Sequence, residues 1–250
     1  MNWLRLPYSI YAVVIIFLLF IPAIPIYVII KFFVRYKRQQ YWVHKTNRIL
    51  FLTWSALVGF RYRIKGVEHI DPNQNYIAVC NHSNLADLMA SGYGIQVPGK
   101  PLVKKELLKI PVFGQLFAMA SVPVDRKDHD ARKLSLERMK SELSQGISLI
   151  IFPEGTRNRT PQPLKDFYNG AFSLSLETGV PILPVVFTNL RNLTTAKSML
   201  IRPWIVEITH LKPVSPKDFT DVEALKNFVY KEIWNYLVEY DRNYKDFKKL

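Results

Sequence analysis

The chain has 250 residues, 49% of them hydrophobic, so it is long enough to bury one sizeable core and to form one catalytic domain. Its single cysteine, Cys80, excludes an internal disulfide framework and is typical of a reducing compartment. Lysine and arginine number 34 against 20 aspartates and glutamates, and the resulting formal charge of +14 indicates an anionic partner, either nucleic acid or an acidic lipid surface.

The N-terminal segment decides between those partners. No charged residue lies between Arg5 and Lys31, and an apolar stretch of that length can cross a bilayer core. Pro22 and Pro25 interrupt the stretch, so it forms either one spanning helix or two shorter helices that dip into one leaflet. A cleaved signal peptide fits less well, because the apolar run is too long and no small-residue cleavage pattern follows it. We therefore expect a membrane protein.

A basic cluster follows the apolar stretch and sets the expected orientation. By the positive-inside tendency, Lys31, Arg35, Lys37 and Arg38 place this end, and everything after it, on the cytoplasmic face. Such cations also attract anionic membrane lipid, each by about 1 kcal/mol near the surface. The alternative for the individual residues is an ordinary solvated basic face.

The rest of the chain alternates between helical and strand patterns. Its periodicity predicts, in chain order, a helix at 42–60, strands at 62–64 and 76–80, a helix at 85–92, a helix at 106–119 that Pro111 breaks, a strand at 121–125, a helix at 131–145, a strand at 147–152, a helix at 170–178, and strands at 182–188 and 204–209. A final helix opens with Thr220 and Glu223 in capping-box spacing. Such alternation predicts an α/β fold, with a mixed, largely parallel sheet flanked by helices and preceded by the hydrophobic membrane segment. We expect membrane-anchoring helices at 1–59 and a catalytic domain at 60–250.

The final helix carries an apolar stripe, which we interpret as core or domain packing rather than as membrane contact. The stripe consists of Leu225, Phe228, Val229, Ile233, Trp234, Leu237 and Tyr240.

A polar motif, NHSNLAD at 81–87, follows the strand at 76–80. Its His82 and Asp87 are too far apart to lie over one another on a helix, but they can face each other across a strand-to-helix turn. An aspartate that accepts a hydrogen bond from one imidazole nitrogen fixes the tautomer and leaves the other nitrogen free to take a proton from an alcohol. For this pair alone, the alternative is a helix-capping aspartate beside a structural histidine.

A second motif, FPEGTR at 152–157, follows the strand at 147–152. Gly155 lets backbone approach a ligand closely, and the guanidinium of Arg157 can fork onto phosphate oxygens. Further positive charge is expected from Arg126 and Arg159. A structural salt bridge between Glu154 and one of these arginines is the alternative for that carboxylate.

Four blocks, in this order, resemble the membrane-bound glycerolipid acyltransferases, and within that family the bacterial members that acylate 1-acyl-sn-glycerol 3-phosphate. The blocks are NHSNLAD at 81–87, KKELLKIPVFG at 104–114 with VPVDR at 122–126, FPEGTRNR at 152–159, and VPILPV at 180–185. The resemblance implies transfer of a fatty acyl group from an acyl thioester to the free hydroxyl of lysophosphatidic acid, giving phosphatidic acid.

The resemblance also implies roles for individual residues. His82 is the expected general base and Asp87 its orienting partner. The expected acceptor-binding wall is formed by Glu154, Gly155, Thr156 and Arg157, with Arg126 assisting at the phosphate. Lys104 and Lys105 match the block near the thioester and its developing oxyanion, and Pro181 and Pro184 fall where the family has an acyl-donor or structural element.

No cofactor is expected beyond the acyl thioester itself, carried on coenzyme A or on acyl carrier protein. No cluster of histidine, cysteine and carboxylates has metal-site spacing, so no metal is expected either. A thioester is already activated, so an alcohol deprotonated by His82 can attack it directly without a covalent enzyme intermediate. Cys80 is accordingly expected to be buried packing.

One departure from the family leaves the acceptor open. Where the family commonly has Phe-Lys-x-Gly, this chain has Tyr168 in place of the lysine. Either Lys165 substitutes for that cation, or the acceptor is another lysolipid, such as a lyso-ornithine lipid.

Two hypotheses from other functional classes compete with acyl transfer. The first is a non-catalytic, membrane-tethered protein that binds an anionic ligand. Nucleic acid is not expected as that ligand, because the sequence has no RNA-recognition aromatic signature, zinc finger or helix-turn-helix pattern. The second is a hydrolase, which would need a G-x-S-x-G elbow that the sequence lacks.

Overall fold

The computed structural model describes residues 5–84, 86–109, 113–125, 129–191, 193 and 200–250. The helices of this part of the chain are α1 (Arg5–Phe20), α2 (Ile24–Phe33), α3 (Tyr36–Val58), α4 (Ala86–Gly94), α5 (Phe113–Ala120), α6 (His129–Ser144), α7 (Gly170–Thr178) and α8 (Val222–Tyr240). The strands are β1 (Arg61–Lys65), β2 (Ile77–Cys80), β3 (Gly99–Lys104), β4 (Val122–Val124), β5 (Ser148–Ile151), β6 (Ile182–Thr188) and β7 (Ile205–His210).

The strands form one seven-stranded sheet in the order β1-β7-β6-β2-β5-β3-β4. Neighbouring strands are parallel except β6 and β7, which are antiparallel, so the predicted mixed, largely parallel sheet is confirmed. Every residue of β2, β5 and β6 is buried, as expected for central strands covered by helices on both faces. The carboxyl ends of β6, β2, β5 and β3 therefore meet at one edge of the sheet.

A separate hydrophobic cluster covers each face of the sheet. On one face, helices α6, α7 and α8 pack against the strands through residues such as Phe172, Leu174 and Ile233. On the other face, α1, α3 and α4 contribute residues such as Trp54 and Ala90. The stripe of α8 lies mainly in the first cluster, and its two exceptions are Phe228 and Tyr240, which are exposed.

The N-terminal hydrophobic segment forms two helices, α1 and α2, joined by a turn at 21–23 that contains Pro22. Within the described residues, Arg5–Phe33 is the one segment that is long and apolar enough to cross a membrane. Only 22% of its most apolar stretch of 18 residues is buried. Helix α1 packs on α3, where Trp54 Nε1 donates a hydrogen bond of 2.8 Å to the carbonyl of Ala12. Because α1 and α3 share a core with the sheet, the division at residue 59 stays a prediction.

The structure departs from the local predictions at β3, α8 and α3. Strand β3 was not predicted, because Lys100 and Pro101 break the apolar pattern that marks a buried strand. Helix α8 is capped by Asp221 rather than by Thr220, since the Asp221 carboxylate accepts a hydrogen bond of 2.9 Å from the backbone N–H of Ala224. The predicted helix at 42–60 begins earlier than expected, at Tyr36.

Candidate active site

The two polar motifs meet because they follow β2 and β5, which are parallel neighbours in the sheet. Asn81, the first residue after β2, is buried and fixes the start of its motif to β6. Its side-chain amide donates a hydrogen bond of 2.9 Å to the carbonyl of Phe187 and accepts one of 2.8 Å from the Phe187 N–H. The next residue, His82, is thereby held at the carboxyl edge of the sheet.

His82 and Asp87 form a hydrogen-bonded pair, with His82 Nδ1 lying 2.8 Å from Asp87 Oδ2. Asp87 is on the first turn of α4 and has no exposed surface, whereas the His82 side chain is 19% exposed. The same carboxylate oxygen accepts hydrogen bonds from the backbone N–H groups of Ser83, at 2.6 Å, and Asn84, at 2.8 Å. Three donors thus converge on one oxygen, which favours a carboxylate there and a proton on His82 Nδ1.

Burial governs the electrostatics of this motif. Desolvation raises the pKa of Asp87, while hydrogen bonding to His82 and to the two backbone amides acts in the opposite direction. Desolvation also raises the pKa of the Cys80 thiol, which is fully buried beside the motif. Cys80 thus has the surroundings of an inert packing residue rather than of a reactive thiolate.

Glu154 of the second motif links the two loops. Its Oε1 accepts a hydrogen bond of 2.7 Å from the backbone N–H of His82, and its Oε2 accepts one of 2.9 Å from the backbone N–H of Lys165. The residue is 1% exposed, and burial raises the pKa of its carboxyl to about 7. Glu154 therefore contacts backbone rather than the open surface of the site.

Two further contacts hold the histidine loop against the second motif. The backbone N–H of Asn158 donates a hydrogen bond of 2.6 Å to the carbonyl of His82. The Phe152 ring lies 4.5 Å from the imidazole, measured between ring centroids. The imidazole is thus flanked by an aromatic ring on one side and oriented by Asp87 through Nδ1, which leaves Nε2 as the nitrogen available to a substrate.

The polar surface beside the pair carries cations. Gly155 adopts a positive φ of 71°, which turns the chain sharply before Thr156 and Arg157. Thr156 is exposed, and Lys165 Nζ donates a hydrogen bond of 2.7 Å to its hydroxyl oxygen. Arg157 is partly exposed, and within the described part of the chain its guanidinium has no ion pair or hydrogen-bond partner.

The other predicted site residues lie farther along the same edge. Lys104 and Lys105 are exposed at the end of β3, and Lys105 Nζ lies 3.6 Å from Asp125 Oδ2. Arg126 is outside the described residues. Tyr168, at the position of the family lysine, is 70% exposed.

An apolar cavity of about 300 Å³ lies between the N-terminal helices and the sheet. Helices α1 and α3 contribute Phe20, Val43 and Phe51 to its walls, and strands β3 and β5 contribute Val103 and Ile150. The cavity is therefore enclosed jointly by the hydrophobic N-terminal segment and by the sheet that carries the two motifs.

A model of the acyltransferase family matches residues 61–188, a stretch that contains both motifs and every strand from β1 to β6. The chain belongs to the acyltransferase family. The resemblance drawn from the four sequence blocks is confirmed at this level.

Relatives named 1-acyl-sn-glycerol-3-phosphate acyltransferase resemble this acyltransferase over most of its length. The Cocos nucifera protein is 30% identical over 199 residues, which are 79% of this chain and 62% of that protein. The Salmonella typhimurium protein is 30% identical over 167 residues, which are 66% of this chain and 67% of that protein. The chain thus spans about two thirds of the length of these relatives.

The fold is also that of a solved structure. The crystal structure of the 1-acyl-sn-glycerophosphate (LPA) acyltransferase from Thermotoga maritima superposes with a TM-score of 0.81 at 22% identity. The match covers 97% of this chain and all of that one, so the N-terminal helices are included in the similarity.

Sequence reasoning missed three asparagines that hold the site of this acyltransferase together. Asn81 and Asn84 anchor the histidine loop, since Asn84 Nδ2 donates a hydrogen bond of 3.2 Å to the carbonyl of Leu190. Asn158 shapes the second loop, where its Nδ2 donates a hydrogen bond of 2.9 Å to the carbonyl of Gln162. Asn81 and Asn84 lie inside the first motif and Asn158 directly follows the second, and the signal that identifies them is an asparagine directly beside a buried strand or turn.

Proposed function

We propose that this protein transfers a fatty acyl group from an acyl thioester to the free hydroxyl of 1-acyl-sn-glycerol 3-phosphate, giving phosphatidic acid. The observation that carries the proposal is the His82–Asp87 pair, held at the same edge of the sheet as a lysine and an arginine that has no partner among the described residues. The names of the relatives support the same reaction. The family match supports acyl transfer in general.

The His82–Asp87 pair can carry out the proton transfers of this reaction. His82 Nε2 takes the proton of the acceptor hydroxyl as the oxygen attacks the thioester carbonyl carbon. The new C–O bond forms, the C–S bond breaks, and the proton passes from Nε2 to the departing thiolate. Asp87 holds the His82 tautomer and stabilises the imidazolium between these two steps. General acid–base catalysis of this kind typically contributes about 10²–10⁴-fold in rate.

The acceptor phosphate is proposed to lie against Arg157, Thr156 and Lys165. Arg157 supplies a guanidinium without a protein partner in the described residues, which suits a bidentate contact to phosphate oxygens. Lys165 reaches the same loop through Thr156, so it supplies a cation close to where the family has its lysine. Glu154 is proposed to position the two loops, since both of its oxygens are engaged by backbone N–H groups.

The acyl end of the donor is proposed to lie on the β3 side of the His82–Asp87 pair. Lys104 and Lys105 lie at the end of that strand and are suited to stabilise the developing oxyanion, and Arg126 is proposed to assist at the phosphate. The apolar cavity between the N-terminal helices and the sheet is the proposed site for a fatty acyl chain, because its walls offer an alkyl chain continuous apolar contact.

The protein is proposed to work at a membrane, with its catalytic domain on the cytoplasmic face. The Arg5–Phe33 segment is mostly exposed and apolar, and the basic cluster that follows it suits contact with anionic lipid. The acceptor and the product both reside in such a membrane.

The test is acyl transfer by the purified, detergent-solubilised protein. A labelled acyl thioester is offered with lysophosphatidic acid and, in parallel reactions, with neutral, zwitterionic and ornithine-containing lysolipids. We expect labelled phosphatidic acid, at a rate that falls by about 10²–10⁴-fold in His82→Ala. Cys80→Ala is the matched control, and it should retain transfer because no acyl-enzyme forms on this buried thiol.

Each other outcome changes the proposal in a defined way. Transfer only to a different lysolipid would keep the His82–Asp87 pair and reassign the acceptor. Undiminished transfer in His82→Ala would contradict the mechanism. Binding of anionic ligands without turnover of any thioester would favour the non-catalytic alternative.

A further inference from the structure

A second recess opens at the β1–β7 end of the sheet, away from the His82–Asp87 pair. It has a volume of about 700 Å³, and four arginines line it, namely Arg61, Arg63, Arg202 and Arg242. Two of them come from strand β1, one precedes β7, and the last follows α8. The recess is therefore assembled from segments that are remote in sequence. This distinguishes it from a run of consecutive cations on the surface.

Most of its positive charge is uncompensated. Among the described residues that line the recess, Glu207 is the only carboxylate, and it pairs with Arg63 at 3.0 Å. Arg61 and Arg242 are exposed, and their guanidinium groups have no carboxylate partner in the described chain. Like charges held together in this way repel one another unless an anion lies between them.

Arg202, the third arginine with no carboxylate partner in the described part of the chain, stacks on an aromatic ring. The guanidinium of Arg202 lies over the ring of Trp204, 4.1 Å from its centroid, and Arg202 Nε is buried without a hydrogen-bond partner in the described residues. Trp204 is itself fixed, since its Nε1 donates a hydrogen bond of 2.6 Å to the carbonyl of Asn189. The recess thus combines unpaired guanidinium groups with a flat, stacked surface.

The recess lies on the same edge of the sheet as the catalytic pair. Strands β1 and β7 run opposite to β6, so their first residues, Arg61 and Ile205, are paired near the end of β6. Strand β2, which leads to His82, is the next neighbour of β6. Two strand spacings of ~4.8 Å each separate β7 from β2, and extending the register at ~3.3 Å per residue puts Ile205 about three residues beyond the level of His82, so the recess begins roughly 14 Å from His82.

We propose that this recess binds the phosphorylated adenosine portion of an acyl-coenzyme A donor. This inference rests on the proposed acyl transfer and assigns the chemical class of the donor. The diphosphate and the 3′-phosphate of this nucleotide provide anionic groups for Arg61, Arg202 and Arg242. Its purine can stack on the Arg202–Trp204 pair. The pantetheine arm is a chain of about a dozen atoms, so its length equals that of roughly four extended residues at ~3.5 Å each. It is therefore long enough to span from the recess to His82.

The shape of the recess favours this ligand over an acidic carrier protein. A carrier protein needs a broad contact surface of roughly 800 Å² on each partner, with its charges spread over a face. Here the unpaired arginines converge on a concave volume within the ~300–1,000 Å³ range typical of small-molecule sites.

The direct test is calorimetric titration of the full-length protein in nonionic detergent with adenosine 3′,5′-bisphosphate. We expect saturable binding that weakens at least about tenfold in Arg61→Gln/Arg242→Gln, because each charge-assisted contact to phosphate is worth a decade or more. The matched control is Lys133→Gln/Arg138→Gln, which removes the same charge from exposed positions on α6 and should leave binding unchanged. An equal loss in the control would overturn the proposal.

Kinetics supply the second readout. In Arg61→Gln/Arg242→Gln, the KM for acyl-coenzyme A should rise by about tenfold or more with kcat retained, while the KM for the S-acyl pantetheine, which lacks phosphates, stays the same. A rise in KM confined to the acyl carrier protein donor would overturn the proposal and indicate that the recess binds a protein. Unchanged bisphosphate affinity, with reduced binding to phosphatidylglycerol vesicles, would overturn it in favour of a lipid headgroup.

The two proposals fail separately. If the wild-type protein transfers no acyl group from any donor, acyl transfer is refuted, and bisphosphate titration still decides what the recess binds. If the arginine variant uses acyl-coenzyme A as well as the wild type does, the recess assignment is refuted and acyl transfer stands.

Discussion

Glu154 Oε1 accepts a hydrogen bond of 2.7 Å from the backbone N–H of His82, a residue 72 positions earlier in the chain. The other oxygen of the same carboxylate accepts from the backbone N–H of Lys165. One buried side chain therefore sets the position of the histidine relative to the loop that carries Arg157. The geometry of the site depends on this link, even though Glu154 has almost no exposed surface.

Asp87→Asn is expected to lower kcat by at least about a hundredfold while the thermal midpoint of unfolding changes little. The amide keeps an oxygen for the Ser83 and Asn84 N–H groups, but the negative charge that stabilises a His82 imidazolium is lost. Steady-state acyl transfer measures kcat, and circular dichroism checks the fold. A variant that is folded and fully active would show that Asp87 has no role beyond fixing the loop before α4 through the Ser83 and Asn84 N–H groups.

Arg157→Ala is expected to raise the KM for lysophosphatidic acid by about tenfold or more, with little change in the KM for the thioester. A charge-assisted hydrogen bond to phosphate contributes about 1.5–3 kcal/mol, and this guanidinium has no competing partner in the described residues. The control is Arg138→Ala on exposed α6, which removes the same charge away from the site. An unchanged acceptor KM would remove Arg157 from phosphate binding.

Lys165→Ala tests whether this lysine replaces the one that Tyr168 displaces from the family pattern. The substitution leaves the backbone N–H that binds Glu154 and removes only the ammonium group near Thr156. We expect a severalfold rise in the KM for lysophosphatidic acid, no change for a monoacylglycerol acceptor that lacks phosphate, and recovery in Lys165→Arg. Equal effects on both acceptors would instead indicate a structural role.

Local patterns sufficed for much of the fold. The helix at Gly170–Thr178 and the strand at Ile182–Thr188 agree with the sequence prediction at both ends, because each has a clear apolar period and a turn signal beside it. The spacing of His82 and Asp87 likewise predicted that they would face each other, and the structure places them 2.8 Å apart. Their catalytic roles remain predictions.

What the sequence did not reveal depends on contacts between remote segments. Strand β3 contains Lys100, which is buried only because its Nζ lies 2.7 Å from both Glu142 Oε1 and the Tyr36 hydroxyl. No local pattern indicates that a lysine has such partners. The same holds for Glu154: the sequence predicted a place on the acceptor-binding wall or a salt bridge, and it did not indicate that both carboxylate oxygens accept hydrogen bonds from backbone N–H groups.

The pH dependence of stability provides a test of the Glu154 link. Burial raises the pKa of this carboxyl from its ordinary 4.5 to about 7. Between those two values the native state holds a proton that the unfolded chain has released, so the free energy of unfolding falls as the pH rises through this window. Below 4.5 both states are protonated and above 7 both are ionised, so the group contributes no further change outside it. The full loss is roughly 3 kcal/mol, taking ~1.4 kcal/mol per unit of pKa difference.

Glu154→Gln isolates that contribution, because an amide keeps the size of the side chain and does not titrate. The variant should be less stable at pH 4.5, since its NH₂ group faces one of the two backbone donors and one hydrogen bond, worth about 1–3 kcal/mol, is lost. Its stability should then decline less than that of the wild type as the pH rises to 7. Denaturant unfolding followed by tryptophan fluorescence measures both slopes, and subtracting them removes every other titrating group. Parallel slopes would mean that Glu154 is ionised throughout the range, and that the two backbone N–H groups outweigh the cost of burying its charge.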